Sequence, residues 1–365
     1  MSIEPENTPD RILTIEALRF IAALLVVFHH CRLQATFFDG SFNFGQYIQG
    51  HTGVDIFFVI SGFIMVWVTR KRDRHPIPFI AGRFLRVWPL YAIFTALAGY
   101  LAFFWPAWYA GPADLEYILR SMFFRPTQRP EPFGGLWPIL VPGWTLNLEM
   151  VFYLIFGVAL FFRRTALIAS VGLIIVYAIS WANASTYTWA AAYSFFGGVI
   201  LEFIIGMAIA WRFIAGDRLP GWVACLLIVV GFVLLFFFVG KTGSSLVDSG
   251  VPAAMIVLGA INLRLDRLND GQRKAILLLG ALSYPMYLSH NFIIQALTRL
   301  LRKLGFEQGS IHGLLFLAAV AVLVFLASWL VHAAIEKPIG RHVAKPLVKA
   351  LDTLVNRERT SAAAA

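Results

Sequence analysis

The chain has 365 residues, 59% of them hydrophobic and only 14% charged, with a mean hydropathy of +0.73 and a net charge of +10. A soluble domain has too little interior to hide that much apolar surface, so lipid must be the solvent for most of the chain. The basic balance reads as membrane topology rather than nucleic-acid binding, because Lys and Arg sit in short loops between apolar runs.

A spanning helix needs ~20 mostly apolar residues to cross ~30 Å of hydrocarbon. Runs of that kind lie near residues 13–32, 52–69, 84–105, 145–162, 165–182, 192–213, 222–239, 248–263, 276–298 and 313–334. The predicted fold is all-α: a polytopic membrane bundle of about ten helices, with the run at 248–263 the shortest and interrupted by Gly and Pro. Residues 1–12 form an N-terminal tail, 13–335 the membrane domain and 336–365 a C-terminal tail. Met1–Asp10 lacks the features of a cleavable signal, so the first apolar run is expected to remain as a span. The end from Arg357 to Ala365 is expected to fray. Cys31 and Cys225 show neither a disulfide framework nor metal-ligand spacing.

With ten spans both termini share one side. Of the 30 Lys and Arg, twenty fall in segments on that side and eight on the other, with Arg19 and Arg86 assigned to membrane depth. The excess predicts cytoplasmic termini, although Arg299, Arg302 and Lys303 run against it.

Ionisable residues inside a span are costly and normally face the bundle interior or a wet cavity. The first span holds Glu16, Arg19, His29 and His30. Arg19 and His30 are eleven residues apart, which on an ideal helix is three turns plus ~20° and ~16 Å, so they share a face at different depths. A deep imidazole can take and return a proton, and an arginine can pair with phosphate. Equally, Arg19 can snorkel or pair with Glu16, and His30 can be a satisfied core donor. In the second span Asp55 is either a helix cap or a polar group beside the site.

Arg83 and Arg86 precede Pro89 and Tyr91 and share a helix face, which suits an anionic group such as phosphate or ordinary flanking charge. A long segment from Trp105 to Gly143, rich in Pro, Gly and aromatics, is expected to be functional or a lid. The fourth span opens with Trp144 and carries Glu149 and Tyr153 on one face. A carboxylate one turn into an apolar run needs a partner or a proton, and an arginine from another span would serve. The ninth span carries Pro285, Tyr287 and a second deep imidazole, His290, which is either functional or part of the core.

Taken together, Arg19-x10-His30, Gly53–Phe63, Arg83-x-x-Arg86 with Pro89 and Tyr91, Trp144-Thr145-Leu146-x-x-Glu149-x-x-Phe152-Tyr153, and Tyr284–His290 resemble the membrane-bound acyltransferase family 3. That family includes exopolysaccharide and Nod-factor acetylases. The motifs run in family order over roughly residues 10–340, although Asn147-Leu148 stands where the family commonly has Ser-Val or similar. The resemblance implies transfer of an acyl group, usually acetyl, from cytoplasmic acetyl-CoA to a hydroxyl of a lipid-linked or nascent surface carbohydrate, with no metal. It implies a bacterial inner membrane setting and polysaccharide-assembly proteins as partners. By match to the motifs, Arg19, Arg83 and Arg86 would hold the CoA phosphates and His30 would be the catalytic base. Glu149 and His290 stand beside it as catalytic candidates for orienting or relaying, and Asp55, Trp144, Tyr153 and Tyr287 as substrate-binding candidates. The expected layout is a donor channel meeting an acceptor pocket under the Trp105–Gly143 segment. A proton-coupled carrier of a glycan, lipid or anion is the alternative, because intramembrane Arg, His and Glu suit it too; the lack of an evident internal repeat weighs against it.

Overall fold

A computed structural model describes residues 11–39, 52–70, 75–105, 113–125, 137–183, 197–238, 242 and 244–364. Among these there is no strand, as expected where a backbone in lipid must satisfy its own hydrogen bonds. The main helices are α1 (Leu13–Phe38), α2 (Thr52–Thr69), α3 (Pro76–Phe104), α4 (Leu115–Met122), α5 (Gly143–Ala159) and α6 (Thr165–Ala182). They continue with α7 (Glu202–Ile214), α8 (Gly221–Phe237), α9 (Val251–Asn262), α10 (Asp270–Lys303), α11 (Gly313–Val331) and α12 (Lys345–Ala364). Each predicted span falls on a helix in its described part.

Six helices are long and apolar enough to cross a membrane: Leu13–Arg32, Thr52–Thr69, Pro76–Phe104, Thr165–Ala182, Asp270–Lys303 and Gly313–Arg357. Gly143–Ala159, Gly221–Phe237 and Leu246–Asn262 are shorter apolar helices. Large apolar side chains such as Val171, Ile174, Ile175, Leu326 and Trp329 stand exposed along these rods, the surface that lipid tails cover. The chain is an all-α polytopic membrane protein.

It divides into two compact units, Met1–Val68 with Leu201–His332, and Thr69–Ile200 with Ala333–Ala365. In the first, α1 is buried on two sides. Ile15, Leu18 and Ala22 pack with α2, α7, α8 and α9, while Ala23, Val27, Cys31, Ala35 and Phe38 pack with α10 and α11. Spacings of three and four place each set on one stripe. Asp39 closes the α1 end by accepting from Gly313 N at 2.8 Å, and so caps α11.

The directions of these helices follow the alternation of a ten-span chain. Glu16 of α1 meets Gly280 of α10 and His30 meets His290, so α1 and α10 run parallel. The end of α1 meets the start of α11, where the Phe38 and Phe316 rings lie tilted with centroids 5.1 Å apart, so those two are antiparallel. Gly231 lies against Pro252 and Ile256 while Gly259 lies against Ala224 and Ile228, which makes α8 and α9 antiparallel.

Glycines set the closest approach. A Cβ on Gly62 would stand 2.1 Å from the Phe203 carbonyl oxygen, and one on Gly206 2.0 Å from that of Val59. Membrane helices gain little from apolar burial against each other, so backbone-to-backbone packing through small residues carries the contact. The π-helical turn Leu246–Gly250 leads into α9, with Pro252 in the first helical turn, where its missing N–H is harmless.

In the second unit α3 runs unbroken through Pro89. It packs on α4, α5 and α12, with Gly82 against Val348. Gly157 of α5 lets Ile80 of α3 approach. The Trp105–Gly143 segment is more built than a plain loop. It contains α4, capped by Asp114 accepting from Tyr117 N, and Tyr117 Oη donates to the Trp137 carbonyl at 2.7 Å. Ile139 N donates to Ser121 Oγ at 3.0 Å. Pro126, Arg129, Pro130, Pro132, Gly134 and Gly135 lie outside the described residues, as does Met1–Asp10. The C-terminal end expected to fray instead continues as helix to Ala364, consistent with its run of alanine after Ser361, alanine being the strongest helix former.

Candidate active site

The first unit holds Arg19, His30, Asp55, Tyr287 and His290 of the predicted site. Arg19 and His30 lie on one uninterrupted helix, so the shared face and ~16 Å rise deduced from an ideal helix apply. Arg19 pairs with Glu16 at 3.3 Å, both largely enclosed. Gly280 is what admits that carboxylate, because a Cβ there would stand 2.2 Å from Glu16 Oε2.

Eleven residues further along, His30 is half-buried and its Nδ1 lies 2.9 Å from the Val26 carbonyl. Its ring meets that of His290, with centroids 4.8 Å apart and planes at 54°. His290 is 0% exposed, and its Nδ1 lies 3.3 Å from the Met286 carbonyl. A carbonyl oxygen only accepts, so Nδ1 is the donor in each ring and Nε2 is left for chemistry. His290 Nε2 has no hydrogen-bond partner among the described residues. Tyr287 is buried beside it, its ring 6.1 Å from those of His290 and Phe57.

Asp55 sits in the first turn of α2, 1% exposed. Its carboxyl faces that of Glu202 on α7, 0% exposed, within hydrogen-bonding reach. Asp55 Oδ2 and both Glu202 oxygens have no donor from another residue among those described, so a proton shared between the two facing carboxyls is the donor open to them. Gly250 backs onto the pair, with space for a Cβ only 3.0 Å from Glu202 Oε1. Sequence reasoning missed Glu202, although the signal was present: a lone carboxylate inside the apolar run Gly197–Trp211.

The second unit holds Arg83, Arg86, Trp144, Glu149 and Tyr153. Arg83 is half-buried, its guanidinium 5.4 Å from the Phe79 ring centroid, and Arg86 is exposed on α3. Trp144 lies in the first turn of α5, half-buried. Glu149 accepts a hydrogen bond from Tyr153 Oη one turn on, the i,i+4 contact its spacing predicts. The Arg-Pro-Tyr and tryptophan motifs meet here. Tyr91 Oη donates to the Ser121 carbonyl at 2.8 Å, and Gly143 leaves room for that phenol, since a Cβ would stand 2.5 Å from its oxygen.

Chemically, the first unit presents two neutral-capable imidazoles side by side and a guanidinium held by a carboxylate on the same helix. That is a proton acceptor with a neighbour, on a scaffold that also carries an anion-binding group. Residues 12–333 match the profile of a family described as an acyltransferase domain. The chain is similar to the exopolysaccharide production protein ExoZ of Rhizobium meliloti (strain 1021), 34% identical over 263 residues, covering 68% of this chain and 78% of that relative. It is also similar to the acyltransferase MdmB of Streptomyces mycarofaciens, 28% identical over 365 residues, covering 91% of this chain and 92% of the relative. Protein 2 in the picA locus of Rhizobium radiobacter is 26% identical over 192 residues, 47% of this chain and 95% of the relative. No solved structure matches the chain.

Proposed function

The chain belongs to the membrane-bound acyltransferase family 3 and is an integral membrane O-acyltransferase, and from that premise we propose that it moves an acetyl group from acetyl-CoA to a hydroxyl of a cell-surface or lipid-linked carbohydrate. The single observation that carries the chemistry is His30, with Nδ1 tied to the Val26 carbonyl, Nε2 left free to accept a proton, and its ring 4.8 Å from a second imidazole. A sugar hydroxyl is a poor nucleophile, so a positioned base is worth ~10²–10⁴-fold.

His30 Nε2 takes the hydroxyl proton as the oxygen attacks the thioester carbonyl. A C–O bond forms, the C–S bond breaks, and the imidazolium returns its proton to the departing thiolate, which leaves as CoA thiol. Arg19, Arg83 and Arg86 are assigned to the CoA phosphates, which guanidiniums suit as charge-assisted, bidentate donors. Asp55, Trp144, Tyr153 and Tyr287 are assigned to the acceptor, and Glu149 and His290 to orienting or relaying. The enzyme works in a bacterial inner membrane, with both termini cytoplasmic by the excess of Lys and Arg on that side, alongside polysaccharide-assembly proteins. The carbohydrate acceptor is supported by the name of the Rhizobium meliloti relative, an exopolysaccharide production protein. None of the three relatives is named as a carrier.

The test is purified protein in nanodiscs with labelled acetyl-CoA and surface polysaccharide stripped of its esters. Label entering the polymer as base-labile ester is the expected result. Movement of glycan across the bilayer with no ester formed would refute the reading.

A further inference from the structure

The histidine pair offers more acceptor capacity than one base uses. Both Nδ1 atoms donate to carbonyls within their own helices, so in the neutral rings both Nε2 atoms hold bare lone pairs. The rings are in contact at 4.8 Å. One acceptor cannot satisfy another, and a buried polar atom with no partner calls for an explanation.

The surroundings supply no donor for His290 Nε2 among the described residues. On α1, His29 meets His30 edge-on at 5.1 Å, and Arg32 follows two residues after His30 on the same helix. On α10 the neighbour is the Tyr287 ring at 6.1 Å. The side of α11 that packs here is apolar, with Phe316, Leu317, Val320 and Val324. What the pair lacks is two hydrogen donors side by side.

A pyranose carries that arrangement on its ring. Adjacent gauche hydroxyl oxygens stand about one hydrogen-bond length apart, ~2.8 Å, and each brings its own O–H. We propose that His290 Nε2 accepts a hydrogen bond from the hydroxyl next to the one His30 deprotonates, so that the enzyme selects a vicinal diol and acylates one of its oxygens.

The inference rests on the acyl-transfer reading above and adds the local structure of the acceptor. His290 is a substrate-binding residue in it: the O–H bond of the second hydroxyl stays intact, and no proton is lost there. A monohydroxy acceptor leaves His290 Nε2 as empty of donors as before, and a site built to bind a hydroxyl discriminates against the analogue that lacks it.

The experiment uses the full chain in nanodiscs with acetyl-CoA and, as acceptors, methyl β-D-glucopyranoside, methyl β-D-galactopyranoside and their monodeoxy derivatives, with the ester position read by NMR. In wild type, removing the reacting hydroxyl abolishes transfer. Removing its neighbour lowers kcat/KM about tenfold or more, the loss expected when one hydrogen bond of ordinary net strength goes, and removing a remote hydroxyl changes it by less than about twofold. In His290→Leu the neighbour penalty falls to less than about twofold. His290→Gln, which keeps an acceptor oxygen, retains part of it and serves if the leucine variant fails to fold. A wild-type enzyme indifferent to the neighbouring hydroxyl overturns the proposal while leaving acyl transfer standing. So does a His290→Gln or His290→Leu variant that slows every acceptor equally and keeps the full penalty, which is what a structural role would give. Wild-type protein that acetylates no sugar overturns the acyl-transfer reading, and this inference with it.

Discussion

Replacing His30 by alanine separates catalysis from folding. The ring is half-buried and its Nδ1 hydrogen bond runs to its own helix, to the Val26 carbonyl. Losing that bond costs ~0.5–1.5 kcal/mol, partly offset because alanine is the better helix former by up to ~0.7 kcal/mol. The contact with His290 is lost as well, but α1 remains held by Ala23, Val27, Cys31, Ala35 and Phe38 against α10 and α11. The folded protein should therefore remain in the membrane at near wild-type level. Catalysis loses the general base, ~10²–10⁴-fold, which at ~1.36 kcal/mol per decade is ~3–5 kcal/mol of transition-state stabilisation. The assay is the rate of acetyl transfer from labelled acetyl-CoA to de-esterified polysaccharide, normalised to protein recovered as a single peak by size exclusion. Turnover within threefold of wild type, with the variant intact, would remove His30 from the mechanism.

Arg83→Ala with Arg86→Ala should raise the donor KM by about tenfold or more, at ~1.5–3 kcal/mol for each charge-assisted hydrogen bond lost, with little change in melting temperature because Arg86 is exposed; a donor KM equal to wild type argues against phosphate binding there. Asp55→Asn gives the Glu202 carboxyl an amide donor, so its melting temperature should hold or rise, whereas Asp55→Ala leaves Glu202 buried alone and should lower it by several degrees. Thermal unfolding in detergent checks the order of the two, and the reverse order refutes the facing-pair geometry. Gly62→Ala places a methyl against the Phe203 carbonyl oxygen, where the space is 2.1 Å, and forcing α2 from α7 should cost ~1–3 kcal/mol; an unchanged melting temperature contradicts the crossing.

Much of the site's one-dimensional geometry was legible before any fold. Arg19 and His30 share a face because a helix is stiff and periodic, and α1 runs through both without a break. Glu149 and Tyr153 meet for the same reason. For Asp55 the sequence left two readings, a helix cap or a polar group beside the site, and what the structure adds is its burial opposite Glu202. The segment from Trp105 to Gly143 was harder to read. α4 is only two turns long, and the bonds from Tyr91 and Ile139 that hold it come from residues well before and after it in the chain.

The spans, their order and their alternating directions were determined by sequence alone, because hydrocarbon accepts only backbones that bond to themselves, and a helix of that length needs a run of apolar residues to cover it. Which helices touch was decided by the tertiary structure. His30 reaches His290, Asp55 reaches Glu202 and Glu16 reaches Gly280 across helices far apart in the chain. Those meetings depend on where glycines such as Gly62, Gly206 and Gly280 allow two backbones or a side chain to close in. Such a fit is a property of two surfaces in three dimensions, and no periodicity along one strand of sequence encodes the partner.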